Sequence, residues 1–261
     1  MAAQPELVVQ HDADDLAADV AARTLATLTH AQHARGRAAL VITGGSIMEA
    51  VWRELASSSA KDAVDWSRVD VFWGDERYVP SDSQDRNDRP AKAILFDHTP
   101  FSAARLFPMP ASDGPYGADL DAAAVAYAEE LVSARRPDDP EEGPSFDVVL
   151  LGVGPDGHCA SLFPEHPGVY DNSSTVIAVR NSPKPPPNRI SLSFDGLNLA
   201  REIWVVASGE GKAEAVAMAL GGAGRTQIPS AGALGTKRTL WLVDLAAASK
   251  LPGHRYNPPI A

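Results

Sequence analysis

A repeated alternation of short apolar runs with helix-like stretches limits this 261-residue chain to few folds. Runs at 7–10 (LVVQ), 38–43 (AALVIT), 69–73 (VDVFW), 147–153 (DVVLLGV), 175–180 (TVIAVR), 202–208 (EIWVVAS) and 239–244 (TLWLVD) read as strands. Among the intervening segments, Leu16, Val20, Leu25 and Leu28 keep approximate helical spacing up to a stop at Gly36, and 47–58 and 212–220 read as further helices. Strands that are apolar along most of their length must be covered on both faces. The pattern therefore predicts an α/β protein with a doubly wound, mostly parallel sheet flanked by helices. The Pro-rich segments 133–145 and 182–189 predict surface breaks, and the length fits a single domain over residues 1–261.

Composition narrows the class of partner. With 34 acidic against 23 basic residues the formal net charge is −11, which repels nucleic acid and anionic lipid, and no basic run forms a segregated patch. No apolar stretch reaches the roughly 18 residues of a membrane span, and the first fifteen residues lack the pattern of a secretion or organelle signal. The single cysteine, Cys159, rules out an intramolecular disulfide and fits a reducing cytoplasm. A small anion is still a possible ligand, because a few cations converging in a cleft act over a Debye length of roughly 8 Å.

In an open parallel sheet, ligands bind beyond the carboxyl ends of the strands. Three such ends carry chemistry. Gly44, Gly45 and Ser46 follow one apolar run and open a helix, which suits either a phosphate or a simple N-cap by Ser46. Asp75, Glu76 and Arg77 follow a second, as cleft residues or as solvated loop residues. The third, LLGVGPDGHCASLFP (150–164), has Gly152, Gly154 and Gly157 in the G-x-G-x-x-G spacing of a dinucleotide-binding turn, with Asp171 downstream. That fingerprint requires a regular helix after its last glycine, whereas His158 follows at once and Pro164 and Pro167 leave room only for a short one. The alternative is a tight loop that brings Asp156 and His158 to a small substrate, His158 as general base and Asp156 holding its tautomer. Cys159 reads as a small buried filler.

The ordered set TGGS, GDERYVP with Asn87 downstream, GPDGHCASLFP, KPPPNRISLSF, GEGKAEAV and PSAGAL, spanning roughly residues 40 to 235, resembles the 6-phosphogluconolactonases of the pentose phosphate pathway. The resemblance implies hydrolysis of 6-phospho-D-glucono-1,5-lactone without cofactor or catalytic metal, on the Rossmann-like fold shared with glucosamine-6-phosphate deaminases. It implies His158 and Asp156 as catalytic, and Gly44, Gly45, Ser46, Arg189 and Lys212 at the phosphate, with Asp75, Arg77 and Lys184 adding charge or sugar contacts. Arg189 is the expected principal anchor, through two parallel hydrogen bonds. The implied partner is the small sugar phosphate alone, the chain being a monomer or weak homo-oligomer. Deaminases carry a glutamate five residues after the histidine and a DEY-type strand end. Here those positions hold Phe163 and DER, departures that favour the lactonase.

Overall fold

Runs of Val, Leu, Ile and Trp buried on both faces make the sheet centre, and polar caps set where the flanking helices start and stop. The structure, a computed structural model, describes residues 4–253, so residues 1–3 and 254–261 of the expected domain lie outside the described residues. In chain order the elements are β1 (Glu6–Gln10), α1 (Ala13–Arg35), β2 (Ala38–Ile42), α2 (Ser46–Ser57), β3 (Val69–Trp73), β4 (Asp75–Arg77), α3 (Asp88–Ile94), β5 (Leu106–Phe107), α4 (Leu120–Ala134), β6 (Val148–Gly152), β7 (Val176–Val179), β8 (Arg189–Leu192), α5 (Phe194–Leu197), β9 (Glu202–Ala207), α6 (Ala213–Leu220) and β10 (Arg238–Asp244). The Asp12 side chain caps α1 through the N–H groups of Asp14 and Asp15, and Gly36 ends that helix in the left-handed region at φ 75°.

Seven strands form one all-parallel sheet in the order β1-β10-β9-β6-β2-β3-β5. After β2 the chain winds outward through β3 to β5, then returns to β6 on the other side of β2 and winds the opposite way to β10. The direction therefore reverses between β2 and β6, where such a sheet opens a crevice at its carboxyl edge. Thr43 ties the two strand tips there: its hydroxyl donates to the Leu150 carbonyl at 3.1 Å and accepts from the Gly152 N–H at 3.3 Å.

Two expectations need correction. The run at 175–180 forms β7, but not in the parallel sheet: it pairs antiparallel with β8, which pairs antiparallel with β4, in a separate three-stranded sheet. Most residues of β7 and all of β8 are buried, so apolar content could not distinguish them from central parallel strands. The segment 133–145 is a loop only after Ala134, because α4 runs through its first two residues. This alanine-rich helix, whose bounds the sequence reading did not set, packs on β7 and β8.

At the opposite edge, Asp147 fixes the amino ends of β2 and β6. Its Oδ2 accepts the Ala39 N–H at 2.8 Å, its Oδ1 accepts from Arg35 at 2.5 Å, and Arg201 lies 3.8 Å away. Asp147→Ala strands a buried N–H and leaves two guanidinium groups without their counter-charge, and is expected to cost about 3 kcal/mol. A fall in the urea unfolding midpoint with an unchanged slope is the corresponding measurement.

Candidate active site

The crevice between β2 and β6 is a cleft of about 440 Å³, within the range of small-ligand sites. Gly44, Gly45, Ser46, Asp75, Arg77, His158, Lys184, Arg189 and Lys212 all line it. Asp156, the remaining predicted site residue, stands behind the His158 ring.

The loop after β6 places the histidine. Gly154 N–H donates to the His158 carbonyl and Gly157 N–H to the Gly154 carbonyl, both at 2.9 Å, which folds residues 154–158 into a tight turn. The three glycines that mimic a nucleotide fingerprint have separate reasons to be there. A Cβ on Gly154 would lie 1.9 Å from His158 Nδ1 and 2.3 Å from Asp156 Oδ1, so the side-chain pair packs directly on its Cα. Gly157 adopts φ 83°, and a Cβ there would meet Ile228 at 2.8 Å. Gly152 has neither constraint, its added Cβ making only an ordinary 3.6 Å contact with the Gly44 carbonyl. The residues after the turn form no regular helix of the kind a dinucleotide fingerprint needs.

His158 Nδ1 lies 2.5 Å from Asp156 Oδ1. A carboxylate can only accept, so Nδ1 carries the proton and the lone pair falls on Nε2, which has no protein partner among the described residues. Burial opposes ionisation of Asp156, but the hydrogen bond from His158 and the positive charge of Lys184 outweigh it and hold the carboxyl well below the usual carboxylate range. Lys184 Nζ closes the cluster at 3.3 Å from Asp156 Oδ1 and 3.1 Å from His158 Nδ1. On the other side of the ring lies Phe163, fully buried, its centroid 4.7 Å from the imidazole and 5.5 Å from the Arg189 guanidinium carbon.

The start of α2 presents unpaired donors. Gly45 is the N-cap and makes no side-chain cap, so Ser46 is the first helical residue and not the cap that one reading of the sequence allowed. The first backbone bond of the helix runs from Glu49 N–H to the Gly45 carbonyl, which leaves the preceding N–H groups for an anion. Lys212, just ahead of α6, is half-buried. Its desolvation and the nearby Lys184 charge lower its pKa, against the attraction of Asp156, and its ammonium makes no ion pair among the described residues.

The cations from the second sheet are held differently. Alternation along β4 turns Asp75 and Arg77 to the cleft and Glu76 to the opposite side. Arg77 both lines the cleft and donates to the Asp85 carbonyl at 2.5 Å. Arg189, only 4% exposed, spends Nε and Nη2 on the carbonyls of Pro186, Lys184 and Pro185. Its Nη1 turns to Ser161 at 3.4 Å and Asp75 at 4.0 Å. No free parallel pair of N–H groups is left for the two-point contact expected from the sequence, and the guanidinium holds the loop that carries Lys184.

Three contributors lay within the motifs of the sequence but were given no role there. Ser161 donates to Asp75 Oδ2 at 2.7 Å and so ties β4 to the histidine loop. Asn87 lines the cleft, and Glu76 supports it from the opposite face of β4. Burial pushes the Glu76 carboxyl up to about 7, while the Arg86 charge and the backbone N–H bonds from Asn87 and Arg77 act the other way. Cys159, fully buried, is an inert filler whose thiol burial and the Asp75 charge push up to about 12.

An imidazole held by a carboxylate, set among cations at the switch point of a parallel sheet, defines an open α/β protein whose cleft suits a small anionic molecule. Residues 11–241 match the family model described as glucosamine-6-phosphate isomerases/6-phosphogluconolactonase, and the chain belongs to that family. It is 53% identical over 261 residues, all of both chains, to a 6-phosphogluconolactonase of Streptomyces coelicolor. To that of Mycobacterium tuberculosis it is 47% identical over 241 residues, 92% of this chain and 96% of the relative. Among solved structures, the 6-phosphogluconolactonase from Trypanosoma brucei superimposes with a TM-score of 0.82 at 27% identity, covering 95% of this chain and 98% of that one. A monomeric glucosamine-6-phosphate deaminase shares the fold at a TM-score of 0.76 and 21% identity over 94% of this chain and 99% of its own. Among the described residues no helix is long and apolar enough to cross a membrane.

Two outcomes follow for the loop. Gly154→Ala is expected to abolish the downfield Nδ1 proton resonance of His158 in NMR spectra, whereas Gly152→Ala retains it. Because Asp156 titrates lower in the native state than in the unfolded one, its ionised form stabilises the protein above about pH 4 and that contribution is lost as pH falls towards the native pKa. The stability gap between wild type and Asp156→Asn is therefore widest at neutral pH and narrows in acid, as denaturation at a series of pH values would report.

Proposed function

We propose that this chain hydrolyses 6-phospho-D-glucono-1,5-lactone to 6-phospho-D-gluconate, the lactone-opening step of the oxidative pentose phosphate pathway, with His158 as general base. The observation that carries the mechanism is the 2.5 Å contact between His158 Nδ1 and Asp156, which leaves the Nε2 lone pair at the cleft without a partner among the described residues. Full-length likeness to lactonases supports the choice of substrate.

In this mechanism Nε2 removes a proton from water as its oxygen bonds to the lactone carbonyl carbon. Asp156 stabilises the imidazolium that forms. The tetrahedral intermediate then collapses by breaking the bond from that carbon to the ring oxygen, and the imidazolium returns its proton to the departing oxygen, which becomes a hydroxyl. Arg77 and Lys184 supply positive potential to the sugar oxygens and the developing oxyanion. Fixing the far end of the substrate converts remote binding energy into orientation of the carbonyl. The phosphate lies at Gly44, Gly45 and Ser46 with Lys212, and Arg189 adds its charge through Nη1. Asp75 orders Ser161 and faces the cations.

A pH-stat assay on freshly generated lactone tests the reading. The wild type is expected to exceed spontaneous hydrolysis by orders of magnitude, and His158→Ala to lose at least about 100-fold in kcat while its affinity for 6-phosphogluconate is retained. Near-wild-type turnover by that variant removes His158 from the role of base. Lys212→Met is expected to raise KM and the inhibition constant of inorganic phosphate together, by about 10-fold or more. Ammonia release from glucosamine 6-phosphate would overturn the lactonase reading in favour of the deaminase chemistry of the wider family.

A further inference from the structure

Asn87 is the cleft residue with the most specific mount and no assigned task. It precedes α3, is only 9% exposed, and lines the cleft between Gly44 and Asp75. Its Nδ2 donates to the Asp75 carbonyl at 3.2 Å. A carbonyl can only accept, so this bond fixes the amide orientation and turns Oδ1 the other way, towards Gly44. There Oδ1 has no hydrogen-bond partner among the described residues. A Cβ on Gly44 would lie 2.0 Å from that oxygen and 2.6 Å from Asn87 Cγ. The first glycine of the TGGS stretch is therefore needed to leave the amide its place, since its own backbone is not in the left-handed region.

The backbone beneath is held by one carboxylate. Glu76, 1% exposed, accepts the N–H of Asn87 at 2.7 Å and of Arg77 at 2.8 Å on Oε1, and that of Asp88 at 2.9 Å on Oε2. The Arg86 guanidinium faces it at 3.7 Å. A buried acid with this many directed donors sets the loop rigidly relative to β4 and so to Arg77, the neighbouring cation of the cleft. The cleft is otherwise rich in donors: Arg77, Lys184, Lys212 and the N–H groups at the start of α2. A polyhydroxylated substrate also brings hydroxyl protons that need acceptors, and a neutral amide oxygen provides one without adding negative charge near a phosphate.

We propose that Asn87 is a substrate-binding residue whose amide oxygen accepts a hydrogen bond from one ring hydroxyl of the sugar lactone, with Glu76 as the positioning residue that holds it beside Gly44. The assignment rests on the lactonase reading and makes Asn87 a determinant of specificity for a hydroxylated ring.

Kinetics on the parent lactone and on phosphorylated lactones lacking one ring hydroxyl at a time test it. The wild type is expected to lose about 10- to 100-fold in kcat/KM on one of the deoxy lactones and much less on the others. Asn87→Ala is expected to lose a similar factor on the parent and to be indifferent to that same hydroxyl. Gly44→Ala, which drives a methyl onto Oδ1, is expected to show the same indifference, with Gly44→Ala/Asn87→Ala no worse than the more impaired single variant. Asn87→Ala turnover within about threefold of wild type on the parent, or unchanged deoxy discrimination in either single variant, overturns the proposal. An inactive wild type overturns the lactonase reading and this inference with it, whereas an active wild type that treats every deoxy lactone alike overturns this inference alone.

Discussion

The parallel pairing of β2 with β6 is the contact on which the rest of the cleft depends. It is short, with Leu40 opposite Val148 and Val41 opposite Val149, and it joins the two halves of a sheet that wind in opposite directions. Because neither outgoing connection covers the gap at the carboxyl edge, the β2–α2 turn and the β6 loop face each other across it. The Thr43 hydroxyl, bonded to both Leu150 and Gly152, prevents the tips from separating, and Asp147 does the same at the amino edge. A helix start with free N–H groups thus stands opposite an imidazole as a consequence of topology. Neither loop needs to bend far from its strand.

Within that frame, close approach decides more than backbone permissiveness. Gly44 and Gly154 are both glycine because another side chain occupies the space where a Cβ would be: Asn87 at one, the His158–Asp156 pair at the other. Neither requires positive φ. Each side of the crevice therefore has a cleft side chain seated on bare backbone, which fixes its position more tightly than a rotamer preference would. Gly157, by contrast, serves the turn itself at φ 83°.

Much of the main sheet was legible because its strands are apolar runs bounded by glycine or polar residues, and 69–73 falls on β3 residue for residue. The second sheet was not. β4 is three charged residues, whose strand character exists only through pairing with β8, and no alternation can be read from Asp-Glu-Arg alone. Helix α4 was not delimited because LDAAAVAYAEELVSA is apolar around much of its circumference and offers no one-sided stripe to mark its bounds. At the site, the individual residues could be picked out but not their obligations. That Arg189 would spend three of its contacts on the 184–186 carbonyls, or that Glu76 would serve the backbone of three residues, depends on how the loops beside β8 and β4 fold back onto these side chains, which spacing alone does not show.

The second sheet also carries an electrostatic conflict that local rules would forbid. Register sets Arg77 directly opposite Arg189 across the β4–β8 pair, a like-charge placement that is unfavourable on an ordinary sheet, and the Arg77 charge contributes, after desolvation, to lowering the Arg189 pKa. Asp75 and Glu76 soften the repulsion without cancelling it, because Asp75 also accepts from Ser161 and Glu76 turns to the other face. With Lys184 and Lys212 facing the same cleft, positive charge accumulates locally on a chain whose net charge is −11. Acidic residues elsewhere are screened within roughly 8 Å, so they subtract little from the potential in the crevice. A dianion in such a crevice offsets the mutual repulsion of these cations. A neutral sugar of the same shape gains none of that relief, so charge selects the ligand before any hydroxyl is read.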